Sequence, residues 1–254
     1  MKTVLITGAS SGIGKELAWV FAEHHYLPIL VARRANLLNY LAEDIQKSFS
    51  IEPVIIVLDL AKQNSAEQLS EIIEQKKLSI DVLVNNAGFG DYSAFCKQSI
   101  SRIESMMMLN MITLTKLCRL IAPQIALQGE GNILNIASTA AFQGIPNFAV
   151  YAATKAYVLS FSEAIAYELK PLNIHVTTVC PGATQSGFQE EAGMNENFFN
   201  EAPSSMLVAE FAFKAMQQNK TMVIYGAQNS FLNFMQRFVP RKLITKAAAK
   251  MLRS

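Results

Sequence analysis

The stretch that decides the fold is Thr3-Val4-Leu5-Ile6-Thr7-Gly8-Ala9-Ser10-Ser11-Gly12-Ile13-Gly14-Lys15-Glu16-Leu17-Ala18. Thr3–Thr7 reads as a short buried strand, and helical spacing starts at Ile13 and runs to His25. Between them the glycines are spaced G-x-x-x-G-x-G. Glycines here let the backbone turn sharply and approach a pyrophosphate at a helix N-terminus, where free N–H groups and the helix dipole favour negative charge. A glycine turn alone is a weak signal. A strand before it and a helix after it make it a dinucleotide site, with Gly8, Ser10, Ser11, Gly12, Ile13 and Gly14 as its contacts.

The same alternation continues along the chain. Pro28–Ala32, Pro53–Leu58, Ile80–Val84, Asn132–Ala137, Ile174–Val179 and Thr221–Ile224 are continuous apolar runs, as strands covered on both faces should be. Asn36–Phe49, Ala66–Lys76, Ser101–Leu127, Ala149–Leu169 and Met206–Gln217 carry helical spacing. Strand–helix alternation predicts an α/β fold, one Rossmann-type doubly wound parallel sheet of about seven strands flanked by helices. We expect residues 1–229 to form one domain, with a substrate lid at about 185–205 where periodicity is lost. Residues 230–254 form a basic helical tail, part of that domain or peripheral to it.

Three loops follow strand C-terminal ends, where ligands sit in such sheets. After the second strand come Arg33 and Arg34, where an NAD-specific site wants an acid for the ribose hydroxyls. An arginine there pairs with the 2′-phosphate of NADP through charge-assisted bonds, and Arg33 is expected to carry most of that preference. Asp59 and Leu60 are placed at the adenine. Asn86, Ala87 and Gly88 are small or amide residues that leave room for a ribose.

Tyr151 and Lys155 stand four apart on a helix and project from one face. A phenol of ordinary pKa near 10 acts as an acid/base near neutrality only if its anion is stabilised. A neighbouring ammonium and an oxidised nicotinamide are expected to pull it down. Ser138, after an apolar strand, is placed to hold a carbonyl oxygen beside the phenol. Phe142, Phe148 and Phe188 are candidate substrate-lining residues, with Phe198 and Phe199 nearby.

These pieces, in order and at family spacing, resemble the short-chain dehydrogenase/reductase family, and the chain looks closest to its bacterial DltE-like branch. The resemblance spans about Met1 to Ser186. It implies a catalytic tetrad of Asn110, Ser138, Tyr151 and Lys155. Asn110 would bend the long helix and hold a water of a proton relay, and Lys155 would also bond the nicotinamide ribose. Pro181, Gly182, Thr184 and Ser186 would contact the nicotinamide end, and the Ala32-Arg33 pair looks like the NADP-preferring pattern. The activity implied is reduction of a ketone, aldehyde or 3-oxoacyl carbonyl by hydride transfer from NADPH, with Tyr151 donating the proton. The family commonly forms homodimers or homotetramers through helices Ser101–Leu127 and Ala149–Leu169. Rival expectations are a catalytically silent NADP-binding regulator, an epimerase or alcohol oxidiser, and a membrane-surface protein on the same fold.

Composition agrees with a buried enzyme. The 254 residues are 51% hydrophobic and 17% charged, enough chain to hide roughly 70–75% of its extended surface. A net charge of +2 argues against nucleic acid as a partner. Cys96, Cys118 and Cys180 are scattered, so neither a disulfide framework nor a metal site is expected, and a reducing cytoplasm fits. No uninterrupted apolar run approaches the roughly 18 residues of a membrane span. Charge is uneven, however. Arg237, Arg241, Lys242, Lys246, Lys250 and Arg253 fall between Ser230 and Ser254 with no acid among them. With those six set aside from the 22 basic residues, 16 stand against 20 acidic ones, about −4. Phe231, Phe234, Met235 and Phe238, then Leu243, Ile244, Ala247 and Leu252 beyond Pro240, give the tail apolar stripes at helical spacing. Such a tail suits an anionic membrane, an acidic partner, or the protein's own lid or dimer mate.

Overall fold

The computed structural model describes residues 1–194, 199 and 201–251; Phe198, Leu252 and Arg253 lie outside them. Seven strands form one parallel sheet: β1 (Thr3–Thr7), β2 (Leu27–Ala32), β3 (Val54–Val57), β4 (Val82–Asn85), β5 (Gly131–Ile136), β6 (Ile174–Cys180) and β7 (Met222–Ile224). Their order is β3-β2-β1-β4-β5-β6-β7. The order therefore reverses between β1 and β4, and the crevice at their C-terminal ends is where such sheets bind ligands.

Helices cover both faces, which is why the strands are predominantly apolar and do not alternate with polar residues. On one face, α1 (Gly12–Glu23), α2 (Ala35–Phe49) and α8 (Ser205–Gln217) bury Leu17, Phe21, Leu38, Ile45, Ala212 and Met216 against Val4, Ile6 and Leu30. On the other, α3 (Ser65–Gln75), α5 (Leu114–Leu127) and α6 (Ala149–Leu169) bury Leu69, Ile73, Leu117, Ile121 and Val158 against Leu5, Ile29 and Leu83. Each such large side chain contributes about 1.5–3 kcal/mol by leaving water.

Three expectations need correction. The single helix predicted over Ser101–Leu127 is divided. Ile100–Met107 forms α4, Met108–Thr113 a π-helical turn, and only then does α5 begin. The π turn widens the helix at Asn110, whose amide is engaged elsewhere, as described below. Second, Ile100–Leu127 taken together does contain a stretch of mean hydropathy 1.2, long and apolar enough by composition to cross a membrane. Its apolar residues instead feed the core: Leu114, Leu117, Cys118, Ile121 and Ile125 are all buried. Third, the aperiodic segment after β6 carries a short helix, α7 (Phe188–Ala192). Its base is tied down by Gln185 pairing with Ser204 and by the Ser205 hydroxyl bonding the Gln185 carbonyl at 2.7 Å. The tail folds as a helix pair, α9 (Ala227–Met235) and α10 (Arg241–Met251), with a 3₁₀ turn at Gln236–Phe238 before Pro240.

Candidate active site

The glycine turn is built for close backbone approach. Gly8 and Gly12 hold φ of +69° and +55°, which L side chains rarely adopt. Added side chains would also collide: a Cβ at Gly14 would strike the Gly8 carbonyl and the Asn86 amide. Thr7 ties this turn to the end of β4. Its hydroxyl accepts from the N–H groups of Asn86 and Ala87, both at 3.1 Å, while Asn86 Nδ2 donates to the carbonyls of Thr7 at 3.0 Å and Gly8 at 3.3 Å. Gly8, Gly12, Gly14, Asn86, Ala87 and Gly88 thus share the crevice between β1 and β4.

Of the two arginines after β2, Arg34 reaches the glycine turn. Its Nη2 donates to Ser10 Oγ at 2.9 Å and Ser11 Oγ at 2.7 Å. Arg33 is exposed beside it. Asp59 is half-buried and its carboxylate accepts from the Ala61 N–H at 3.1 Å, which shapes the turn after β3; Leu60 is buried. Thr184 is buried, its hydroxyl on the Gly182 carbonyl at 3.2 Å, and the Ser186 side chain lies over Gly12. The segment after β6 therefore starts directly at the glycine turn. The Pro181 carbonyl accepts from the Thr139 N–H at 2.8 Å, which joins that loop to the end of β5.

The tetrad residues come together at the C-terminal ends of β4 to β6. Asn110 is buried, and its side chain bonds three partners. Oδ1 accepts from the Phe89 N–H at 3.2 Å; Nδ2 donates to the Phe89 carbonyl at 3.0 Å and to Thr154 Oγ1 at 3.1 Å. Thr154 in turn donates to the Tyr151 carbonyl at 2.8 Å. Gly88 packs where a Cβ would lie 3.0 Å from Asn110 Oδ1 and 3.6 Å from Lys155 Nζ. Lys155 donates to the Ile136 carbonyl at 2.8 Å, and its ammonium lies 5.8 Å from the Tyr151 ring centre.

Burial dominates the electrostatics here. It pulls the Lys155 ammonium down to about 8. It pushes the Tyr151 phenol above its ordinary value, opposed by a hydrogen bond with the Ser138 side chain. Lys155 aims its ammonium at the Ile136 carbonyl and the phenol stands in an apolar wall, so the protein's own groups raise the phenol; the lowering expected from Lys155 together with an oxidised nicotinamide concerns the loaded site. Alone, the protein holds Tyr151 as a neutral acid.

That wall is aromatic. Phe148 stacks on Tyr151 with centroids 4.3 Å apart, and Phe188 of α7 lies 5.2 Å from the same ring. Met106, Ile145, Ala152 and Ala192 complete the cluster, with Ala248 of α10 packed against it. Phe142 is not in this cluster; it packs against the sheet core. Phe199 is buried. Spacing alone missed Arg102 of α4. Its guanidinium donates to the Glu191 backbone carbonyl at 2.5 Å, pairs with the Glu191 carboxylate at 3.3 Å and sits 5.0 Å above Phe89. Only its being the one cation of a short half-helix, Ile100–Met107, hints at it in the sequence. His24 bonds the Val20 carbonyl at 3.0 Å and packs on Phe213 at the far end of α1, away from these groups.

Residues 2–197 match the family described as short chain dehydrogenase. The chain is similar to a ketoacyl reductase, HetN, of Nostoc, 30% identical over 88% of this chain and 78% of that one. It is similar to a 3-ketodihydrosphingosine reductase of Bacteroides thetaiotaomicron, 31% identical over 82% of this chain and 75% of the relative. A solved short-chain dehydrogenase from Sphingobium yanoikuyae, in complex with NADPH, superimposes with a TM-score of 0.84 at 31% identity, covering 94% of each chain. The glycine turn at the sheet's switch point, the buried Tyr151–Lys155 pair and these likenesses together establish that the chain belongs to the short-chain dehydrogenase family and is an oxidoreductase that binds a nicotinamide cofactor.

Proposed function

We propose that the chain is an NADP(H)-dependent reductase of a lipophilic ketone or 3-oxoacyl compound, with Tyr151 as the proton donor. The observation that carries this is the placement of a neutral, buried phenol, in hydrogen bond with Ser138, inside a wall of Phe148 and Phe188. The wall accepts an apolar chain and offers few polar partners besides the tetrad. The two reductases cited act, by their names, on keto groups of acyl or sphingoid character, which fits.

The crevice fits the cofactor: Gly8, Gly12 and Gly14 leave bare backbone for a pyrophosphate, and Asn86, Ala87 and Gly88 leave room for a ribose. Arg33 and Arg34, the latter held by Ser10 and Ser11, supply the charge for a 2′-phosphate. When bound, the nicotinamide supplies the hydride that goes to the carbonyl carbon. Ser138 holds the carbonyl oxygen, and Tyr151 gives that oxygen its proton. Lys155, charged below about pH 8, then stabilises the phenolate across the gap to the ring. Asn110 ties the Phe89 loop to Thr154 of α6 so that these groups keep their spacing. Exposed apolar residues Met107 and Ile112 before α5 and Tyr157 on α6 favour a homo-oligomer that pairs through these helices.

The test is Tyr151→Phe, assayed by NADPH absorbance against a panel of ketones and 3-oxoacyl thioesters. Removing a general acid costs roughly 10²–10⁴-fold, while NADPH binding should persist. A variant keeping more than a tenth of the wild-type rate would show that another group donates the proton.

A further inference from the structure

Helix α9 is inside out. Across α9 and the 3₁₀ turn that follows it, Asn229, Asn233 and Gln236 face the protein, while Phe231, Leu232, Phe234, Met235 and Phe238 face solvent. The inner contacts are specific. Asn229 bonds the Tyr225 carbonyl at 2.9 Å and packs on Gly182, and Gln236 Nε2 bonds Gln143 Oε1 at 3.0 Å. The orientation is therefore held by the fold rather than by a loose end. A helix on a water-exposed surface turns the other way, with its apolar stripe on the core. Here Phe231 is 63% exposed and Phe238 69%.

Helix α10 adds charge to the same surface. Ile244, Thr245, Ala248 and Ala249 are half-buried, with Ala248 against the aromatic wall of Tyr151. On the opposite side Lys242, Lys246 and Lys250 line up one turn apart, with Leu243 beside them, all exposed. Arg237 and Arg241 bridge the two helices, and from Ser230 onward there is no acidic residue.

We propose that α9 and α10 form a docking surface for an anionic lipid bilayer. Large exposed aromatics flanked by lysines and arginines are the chemistry of an interfacial helix, whose apolar face sinks below the headgroups while cations meet lipid phosphates. A second copy packed tail to tail would bury the aromatics but bring five like charges from each chain together, which costs affinity. The charge thus selects the bilayer over the copy. Because α10 is also a wall of the aromatic cluster, docking places the mouth of the catalytic site at the membrane surface. That consequence rests on the function proposed above; the docking itself does not.

The full chain is sedimented with vesicles of phosphatidylcholine plus phosphatidylserine and with phosphatidylcholine alone. It should bind the first far better and release at high salt, as the screening length falls from ~10 Å to ~3 Å between 0.1 and 1 M. Each cation near such a surface is worth about fivefold in affinity, so the triple change Lys242→Gln, Lys246→Gln, Lys250→Gln should weaken binding about 100-fold. These lysines are exposed, so the variant should fold with an unchanged melting curve. The triple change Phe231→Ser, Phe234→Ser, Phe238→Ser should also abolish binding. Equal binding to both vesicle types, or binding untouched by either triple variant, overturns the proposal. So does light scattering in which the aromatic variant alone loses an oligomer while the wild type binds no vesicle, since the patch is then an interface between copies.

Discussion

Truncating Asn110 to alanine tests whether the π-helical turn exists to hold this side chain. The three hydrogen bonds it makes would all be lost, from the Phe89 N–H, to the Phe89 carbonyl and to Thr154. Asn110 is 1% exposed, so water reaches its partners poorly. Thr154 keeps its bond to the Tyr151 carbonyl, and the half-buried Phe89 backbone regains some solvent. Each lost bond then costs about 1 kcal/mol, near the middle of the usual range, and the sum is about 3 kcal/mol. For a chain of this size 1 kcal/mol corresponds to roughly 2–4 °C in melting temperature, so Asn110→Ala should melt about 6–12 °C lower by circular dichroism. Turnover should fall at least about tenfold, because Gly88 and Phe89 lie between Asn110 and Lys155. Asn110→Asp should be no better: it keeps the acceptor for Phe89 N–H but loses both donor bonds and buries a charge. A melting shift under about 2 °C with full loss of turnover would refute this account and leave Asn110 a purely chemical role. An aspartate variant that behaves as wild type would refute it outright.

Arg33→Asp should weaken NADPH binding about 10- to 150-fold and spare NADH, as expected for loss of a charged hydrogen bond; titration calorimetry with both cofactors decides, and equal wild-type affinity for the two contradicts the assignment. Arg34→Ala should loosen the glycine turn through Ser10 and Ser11, raising Kd for NADPH without a change in melting temperature above a few degrees. Lys155, pulled from 10.5 to about 8 by burial, loses its proton as pH rises, so kcat/KM for NADPH should fall above about pH 8; a flat profile to pH 10 would exclude Lys155 as the group seen. In the same window the unfolded chain binds the extra proton, so Lys155 makes the fold more stable as pH rises from about 8 to 10.5. Arg102→Ala should free α7 and raise KM for the carbonyl substrate about tenfold with NADPH affinity unchanged; an unaltered KM would show that the Glu191 contact does not hold the lid.

The fold was legible because each of its elements has a local cause. Doubly covered strands carry apolar runs without alternation, as in Val4-Leu5-Ile6 of β1 and Leu27–Ala32 of β2, and these cannot be mistaken for amphipathic strands. The glycine turn was legible because backbone approach and positive φ leave no other residue. The π turn was not. Nothing in Met108-Leu109-Asn110-Met111 breaks helical spacing, and the widening is paid for by bonds to Phe89 and Thr154, which lie 21 and 44 residues away. Arg102 escaped for the same reason: its partner Glu191 is 89 residues distant.

The electrostatics of the Tyr151–Lys155 pair were legible only in part. Spacing of four puts Tyr151 and Lys155 on one helix face, but sign and size of a pKa shift depend on what each head group meets across the helix. Tyr151 meets Phe148, the N-cap of its own helix, but Lys155 meets the Ile136 carbonyl of β5, a contact the helix itself does not encode. The tail shows the same limit from the other side. Periodicity at Phe231, Phe234 and Phe238 reveals a stripe but not which way it turns, since an inward and an outward stripe have the same spacing. What turns it outward is Asn229 and Gln236, whose amides find partners at Tyr225 and Gln143. An outward stripe of this size on a lone chain is an aggregation hazard, so its retention beside five cations is itself an argument that the surface is normally covered.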